Sequence, residues 1–382
     1  MSSNPTMPTK NLLTFSHLRW DFVFQRPQHI LSRFAQYAHV FYFEEPVFGA
    51  VEKPFLNLSK RDNNLTIVVP HIQAGTDKAD VQQIQTALLD KFFDQTELDS
   101  WTFWYYTPMA LPFSDHYKPR LIVFDVMDEL SAFKFAPEEL LSLEKKLLAK
   151  ADVVFTGGQS LHEAKQQHHD NIHCFPSSID KAHFSQARTA NAEPADQASI
   201  RGLKIGFYGV IDERFEIELI REIAEQQPDW QIVLIGPVVK IDESTLPRNK
   251  NIHYMGSKSY AELPAYLSGW DTALIPFALN ESTRFISPTK TPEYLAAGIP
   301  VVSTPIRDVV KTYGVNKLAQ IASGADDFVD AIHIGLQQKN DPVWLDEVDR
   351  FLKDISWDNT FSGMLQEMNE VVSNSKKISI AS

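Results

Sequence analysis

Cysteine is nearly absent: Cys174 is the single one among 382 residues. That excludes an internal disulfide and any zinc or iron–sulfur site built on cysteines, and it agrees with a reducing compartment. Basic residues are in deficit, 36 Lys and Arg against 49 Asp and Glu, for a net charge of −13. Both halves of the chain are acidic, so net charge speaks against a nucleic-acid partner or an anionic-membrane module. A local basic patch stays open. No run approaches the roughly 18 apolar residues of a membrane span, and the start, MSSNPTMPTKN, lacks the apolar core of a signal peptide. The expected location is the cytoplasm, with peripheral contact at the inner face of the membrane left open.

What is present is the composition of a folded protein. Hydrophobic residues make up 43% and aromatics 11% of the chain, which excludes wholesale disorder. The length favours two domains, each able to bury its own core. Short β-branched and aromatic runs alternate with helical patterns. In the first half, strands are expected at 12–16, 39–44, 65–70, 100–106, 121–125, 152–156 and 172–175, with helices at 27–38, 81–93, 137–150 and 160–168. Ile30, Leu31, Phe34 and Tyr37 recur at helical spacing, and Pro27 suits a first helical position. Fully apolar strands predict a sheet covered on both faces, hence a parallel one. The run SWTFWYY at 100–106 could form an aromatic belt at a lipid interface, but its length fits a buried strand better.

The stretch SQARTANAEPADQASIR at 185–201 interrupts this alternation and carries no apolar period, so it reads as a linker. The pattern then restarts, with strands at 203–208, 231–235, 251–254, 272–276 and 300–303 and helices at 216–227, 260–268 and 292–297. The tail is mostly helical. The expected division is a first domain over 1–184, the linker 185–201, a second domain over 202–340 and terminal helices over 341–382. The fold class is α/β, with two consecutive βαβ domains.

Ligands of doubly wound sheets bind beyond the carboxyl ends of the strands, so residues just after strands matter most. The most informative stretch is NESTRFISPTKTPEYLAAGIPVVST at 280–304. A polar loop leads into a short helix expected to open at Pro292, with Glu293 in its first turn and Gly298 at its end. Ser287, Thr289, Lys290 and Thr291 ahead of that helix suit an anion. Glu293 suits two adjacent sugar hydroxyls, and diphosphate beside ribose needs that combination. A plain helix cap with a solvated Lys290 explains the local pattern equally well.

Three further stretches follow strands. GFYGVIDERF at 206–215 places Gly209 where a ligand could approach the backbone and Arg214 where it could clamp a phosphate, or pair with Glu213 or Glu218 on the surface. It is not a GxGxxG fingerprint. LIVFDVMDELSAF at 121–133 delivers Asp125, Asp128 and Glu129, any of which could act as a general base or cap a helix. HLRWDFVFQRPQH at 17–29 places His17, Asp21, Gln25 and Arg26 in a substrate-loop position. The histidines lack metal-site spacing, and no metal is expected.

With these residues the chain resembles the bacterial GT-B glycosyltransferases, in particular the group-1-like enzymes of polysaccharide and teichuronic-acid-type biosynthesis. The resemblance spans nearly the whole chain. It rests on QRPQH at 25–29, FDVMDELSAF, ADVVFTGG with FPSSID, GFYGVIDERF and SPTKTPEYLAAGIPVVST. It implies two Rossmann-like domains facing a cleft, with the final helices crossing back to the first. It implies that Glu293 holds ribose hydroxyls, while Lys290, Arg214 and the backbone around Ser287 and Thr289 hold a diphosphate beside Gly209. The donor is then a nucleoside-diphosphate sugar, a UDP-sugar by preference, and the reaction needs no metal or cofactor. Base contacts would come from the loops GPVVKID after Ile235 and GSKSY after Met255. The acceptor, a glycan or a lipid-linked saccharide, falls to the first domain, with His17, Asp21, Gln25 and Arg26 beside it and Asp128, then Asp125, as candidate bases. Retaining members often carry a second glutamate eight residues earlier; here that position is Phe285, and Glu281 is four residues too early. The stereochemical outcome is left open. A GT-B-fold epimerase and a non-catalytic nucleotide-sugar-binding subunit are the competing expectations.

Overall fold

A computed structural model describes residues 5–190 and 192–381. Residues 1–4, Asn191 within the expected linker and Ser382 at the end of the expected terminal helices lie outside them. The chain forms two units. The first comprises Met1–Ser131, Phe135–Pro176 and Asp358–Ser382, the second Ala132–Lys134 and Ser177–Trp357.

Among the described residues the first unit holds nine strands: β1 (Asn11–Phe15), β2 (His39–Phe43), β3 (Val47–Gly49), β4 (Phe55–Asp62), β5 (Leu65–Gln73), β6 (Trp101–Tyr105), β7 (Leu121–Val126), β8 (Val153–Thr156) and β9 (Ile172–Cys174). They run β3-β5-β2-β1-β6-β7-β8-β9, with β4 against β5. Pairing is parallel throughout except for β4, which is antiparallel to β5. The expectation of a purely parallel sheet fails there. A two-residue turn, Asn63-Asn64, joins β4 to β5, a connection too short for a parallel pair, and Asn64 N–H donates to the Asp62 carboxylate at 3.2 Å. The aromatic run is core: β6 is buried along its whole length between β1 and β7. The helix Arg26–Phe34 buries Ile30, Leu31 and Phe34 completely. Residues from Asp358 onward return to this unit, where Phe361 meets Phe34 edge-on at 4.9 Å and Asp358 pairs with Arg33 at 2.6 Å.

The second unit holds β10 (Lys204–Tyr208), β11 (Gln231–Ile235), β12 (Ile252–Tyr254), β13 (Thr272–Ile275), β14 (Val301–Ser303) and β15 (Ala319–Ile321). All are parallel, in the order β12-β11-β10-β13-β14-β15. The glycine inside β10 has a packing reason: a Cβ at Gly206 would fall 2.1 Å from the Trp270 ring. The expected linker is part of this unit. Its Gln197 is fully buried, donates to the Tyr266 carbonyl at 2.7 Å and accepts from the Trp270 indole at 2.9 Å. A polar composition that looked like tether is satisfied inside a core. The helix Pro342–Phe351 also packs here, through Trp344 and Val348 and through Asp349 against Arg188 and Lys181. Of the terminal helices, the residues that return to the first unit are those from Asp358 onward.

A buried ion pair ties the start of the helix Arg26–Phe34 to β7. The Arg26 guanidinium donates from Nε (3.2 and 3.1 Å) and Nη2 (2.8 Å) to the Asp125 carboxylate, and from Nη1 to the Phe175 carbonyl at 2.7 Å. Burial pushes the Asp125 carboxyl up, and Arg26 opposes it. Removing one partner leaves the other charge buried without compensation. Arg26→Met should therefore cost about 3–5 kcal/mol in urea unfolding, and combining it with Asp125→Leu should recover most of that loss. A single-variant loss below about 1 kcal/mol, the range of exposed pairs, would contradict the pair's role.

Candidate functional site

At the carboxyl end of β10 the chain turns at Gly209 (φ +142°), and at the end of β11 it turns at Gly236 (φ +140°). Gly209 N–H donates to the Ile235 carbonyl at 2.8 Å, and Gly236 N–H to the Gly256 carbonyl at 2.9 Å. The backbones approach so closely that a Cβ at Gly236 would sit 1.9 Å from the Gly209 oxygen. A Cβ at Gly209 would sit 2.2 Å from Lys290 Cε, so the lysine stem lies directly over the glycine. Its ammonium is 5.7 Å from the Phe207 ring centre and 5.8 Å from that of Phe277. Beyond the glycines the loops stay laced together: Ile211 N–H donates to the Pro237 carbonyl at 2.9 Å and Val239 N–H to the Ile211 carbonyl at 3.0 Å.

Lys290 belongs to the helix Lys290–Ala296, which begins two residues before the expected Pro292. Proline fits inside the first turn because the N–H groups there have no partner within the helix. Ser287 and Thr289 precede it, both half-buried. Gly298, at φ +75°, follows its end. Glu293 is buried on this helix and accepts a hydrogen bond from the Tyr208 hydroxyl, while Tyr208 N–H donates to the Tyr294 hydroxyl at 3.0 Å. Burial raises the Glu293 carboxyl to about 7, against the opposing pull of the Tyr208 hydrogen bond and Lys290. Burial also lifts the Tyr208 phenol well above its ordinary value, so it stays a donor. Gly209, Lys290 and Glu293 thus converge on one strand end. Arg214 lies on the loop after Gly209 and is oriented by buried Asp212, which accepts from its Nε (3.0 and 3.1 Å) and Nη2 (2.6 Å).

The first-unit candidates divide differently. Asp125 and Arg26 are occupied by each other and fully buried, so neither presents itself to a substrate; the expected base and acceptor contact are a structural pair. Gln25 opens the helix, its N–H donating to Gln28 Oε1 at 3.1 Å. Asp21 is exposed and pairs with Arg61 at 2.5 Å. His17 is half-buried in the loop after β1. Asp128 is half-buried just beyond β7. Its neighbour Glu129 is tied to the buried Lys165 ammonium at 2.7 Å and to the Ser131 hydroxyl at 2.6 Å, and Lys165 also meets Glu144 at 2.9 Å. This cluster fixes the loop that carries Asp128.

Sequence reasoning gave Tyr208 and Asp212 no role at the site and offered Gly236 only as the start of the loop GPVVKID. The signal for Gly236 was an apolar strand ending in Gly-Pro; tyrosine at a strand end looks like any core residue. Among the described residues, no group of three or more His, Cys, Asp and Glu is placed to hold a metal. No helix among them is long and apolar enough to cross a membrane.

Residues 204–338 match a family model described as glycosyl transferases group 1. A protein of Bacillus subtilis (strain 168), named as a teichuronic acid biosynthesis glycosyltransferase, is 25% identical over 227 residues. That match spans about half of either protein, 54% of this chain and 56% of the relative. Among solved structures, sucrose-phosphate synthase from Thermosynechococcus elongatus superposes with a TM-score of 0.72 at 14% identity, covering 96% of this chain and 100% of that one. An α,α-trehalose-phosphate synthase (UDP-forming) from Burkholderia xenovorans, in complex with glucose-6-phosphate, gives 0.70 at 10%, covering 94% and 100%. The chain has the GT-B fold, and the match to the group 1 glycosyltransferase model falls within its second unit.

The Glu293 environment has a measurable consequence for stability. Its carboxyl is raised in the folded chain, so between about pH 4.5 and 7 the folded state binds more protons than the unfolded one. Its contribution is greatest below the unfolded value and is lost as pH rises through about 7. Glu293→Gln should therefore raise the melting temperature relative to wild type at pH 8 and lose that advantage at pH 5. Melting curves at the two pH values check this, and a pH-independent difference would contradict it.

Proposed function

We propose that this chain, a GT-B-fold protein with a group 1 glycosyltransferase domain, moves a sugar from a nucleoside-diphosphate sugar to an acceptor hydroxyl. One observation carries the reading: Lys290 lies over Gly209 at the strand end, and buried Glu293 sits three residues further on the same helix. A cation and a carboxylate at that spacing match a diphosphate beside a ribose. Lys290 and Arg214 hold the diphosphate, with Ser287 and Thr289 as additional donors, and Glu293 accepts the ribose hydroxyls. As the bond to the sugar breaks, negative charge grows on the departing diphosphate. Lys290 and Arg214 meet that charge where it develops, so the step needs no metal.

The donor is a UDP-sugar, a choice supported by the UDP-forming fold neighbour. Asp128 is the base that takes the acceptor proton if the configuration inverts. The pathway is cell-surface polysaccharide or glycolipid synthesis, in line with the teichuronic acid relative. The acceptor is then a glycan or a lipid-linked saccharide met at the inner face of the membrane by a cytoplasmic protein.

Thermal stabilisation by UDP, GDP, ADP and dTDP tests the donor site. UDP at 100 times its dissociation constant should add about 2.7 kcal/mol of stability to wild type and far less to Glu293→Ala. No shift with any nucleotide would sink the site as drawn. If the ionised Glu293 is what binds ribose, UDP affinity should rise about tenfold from pH 6 to pH 8 relative to Glu293→Gln. Once a transferred sugar is found, Lys290→Ala should lower turnover about 10- to 100-fold. Asp128→Asn should lower it about 100-fold or more while the UDP shift persists. Activity that survives EDTA accords with the metal-free step, and activity lost to EDTA contradicts it.

A further inference from the structure

The second unit includes three residues from the chain between β7 and the helix Leu140–Lys150, namely Ala132, Phe133 and Lys134. The half-buried Phe133 ring meets two cations there. The Arg214 guanidinium carbon lies 5.3 Å from the ring centre and the Lys240 ammonium 5.4 Å from it, both within the range of a cation–π contact. Arg214 comes from the loop after β10 and Lys240 from the loop after β11. Glu213 stands 3.8 Å from the Lys240 ammonium. Lys240 has a left-handed backbone (φ +62°), and so has Phe135 (φ +68°), immediately after the segment. Such residues rarely adopt that conformation, and it persists where the surrounding contacts determine it. Arg214 is held on its other side by Asp212, which accepts from its backbone N–H at 3.0 Å as well as from its side chain.

We propose that Phe133 is a positioning residue for the diphosphate: its ring, together with Asp212, holds the Arg214 guanidinium in the orientation that meets the ligand. This rests on the glycosyl-transfer reading above, which gives Arg214 its role. Asp212 restrains the cation but sets a negative charge beside it. A second carboxylate would restrain it further and would also repel the phosphates. An aromatic ring restrains a cation and brings no net charge, so positive potential remains for an anion. Lys290 shows the same arrangement, with the Phe207 and Phe277 ring centres 5.7 and 5.8 Å from its ammonium. A loose arginine loses rotamer freedom each time a ligand binds; one already ordered by the fold does not. Phe133 thus acts through Arg214, without touching the ligand.

The test is calorimetric titration of the full chain with UDP. Phe133→Leu keeps an apolar side chain and removes the ring, and it should weaken UDP binding about three- to tenfold. Phe133→Tyr keeps the ring and should stay within about twofold of wild type. Arg214→Gln should weaken UDP by itself. In that background Phe133→Leu should add less than about twofold, because the residue through which it acts is gone. Melting temperature without ligand serves as the fold control, and Phe133→Met carries the test if the Leu variant fails to fold. Unchanged affinity in Phe133→Leu, an equal loss in Phe133→Tyr, or the full loss retained beside Arg214→Gln would overturn the proposal. No UDP binding by wild type, or unchanged affinity in Arg214→Gln, would fault the transfer reading and this proposal with it. A loss in Arg214→Gln with none in Phe133→Leu would fault the role of Phe133 alone.

Discussion

The backbone contact between Gly209 and Gly236 is the constraint on which the candidate site depends. Two adjacent parallel strands end in residues without side chains, at φ values that favour glycine. The missing atoms let the loops after β10 and β11 stay paired beyond the sheet and leave space above Gly209 that Lys290 occupies. An alanine at 209 would collide with the lysine stem, and one at 236 with the neighbouring carbonyl. Backbone geometry two strands wide thus makes the room that the lysine stem fills. Once Lys290 is fixed, the turn of the helix that follows carries Glu293 into the core beneath Tyr208.

Buried charge serves opposite ends in the two units. In the first, Arg26 with Asp125 and Lys165 with Glu129 and Glu144 are closed clusters in which carboxylate oxygens are taken up by a cation. Such clusters hold loops in place and are poor candidates for contact with a substrate, because a partner removed is a charge left stranded. In the second, Glu293 is buried against one phenol and a nearby ammonium, and burial outweighs both in setting its ionisation. A carboxyl held near neutrality with spare lone pairs can take up hydrogen bonds from a ligand's hydroxyls. The distinction between positioning pair and ligand group lies in what remains unpaired after folding, which no residue type declares by itself.

Much of the fold was legible because the signals are local. Apolar runs of four to seven residues, punctuated by helical periods, spelled out two βαβ halves. The SPTKTPEYLAAG stretch announced a charged loop opening a helix that glycine ends, and Lys290 and Glu293 stand together as that stretch implied. The misreadings come from interactions at a distance. Asp125 follows an apolar strand just as a catalytic carboxylate would, and only Arg26, 99 residues away in sequence, makes it structural. Gln197 sits in a stretch as polar as any linker, yet its amide is consumed by Tyr266 and Trp270. β4 was missed because FLNLSKRD lacks the apolar continuity of its neighbours.

The electrostatics of the two strand-end features run in opposite senses within an acidic protein. At the end of β10 the prominent charge is the Lys290 cation over glycine, with Arg214 oriented on the next loop. At the ends of β1, β2 and β6 it is the Glu44 and Glu45 carboxylates, with the local arginine spent. A net charge of −13 averages these away. It bears on solubility and on attraction to bulk polyanions, and it says little about the charge presented at a single strand end. Selectivity at that scale follows from which oxygens and nitrogens stay without partners once the chain has folded. At the end of β10 a lysine held over glycine, with Arg214 oriented on the next loop, makes a cationic strand end in a protein whose net charge is negative.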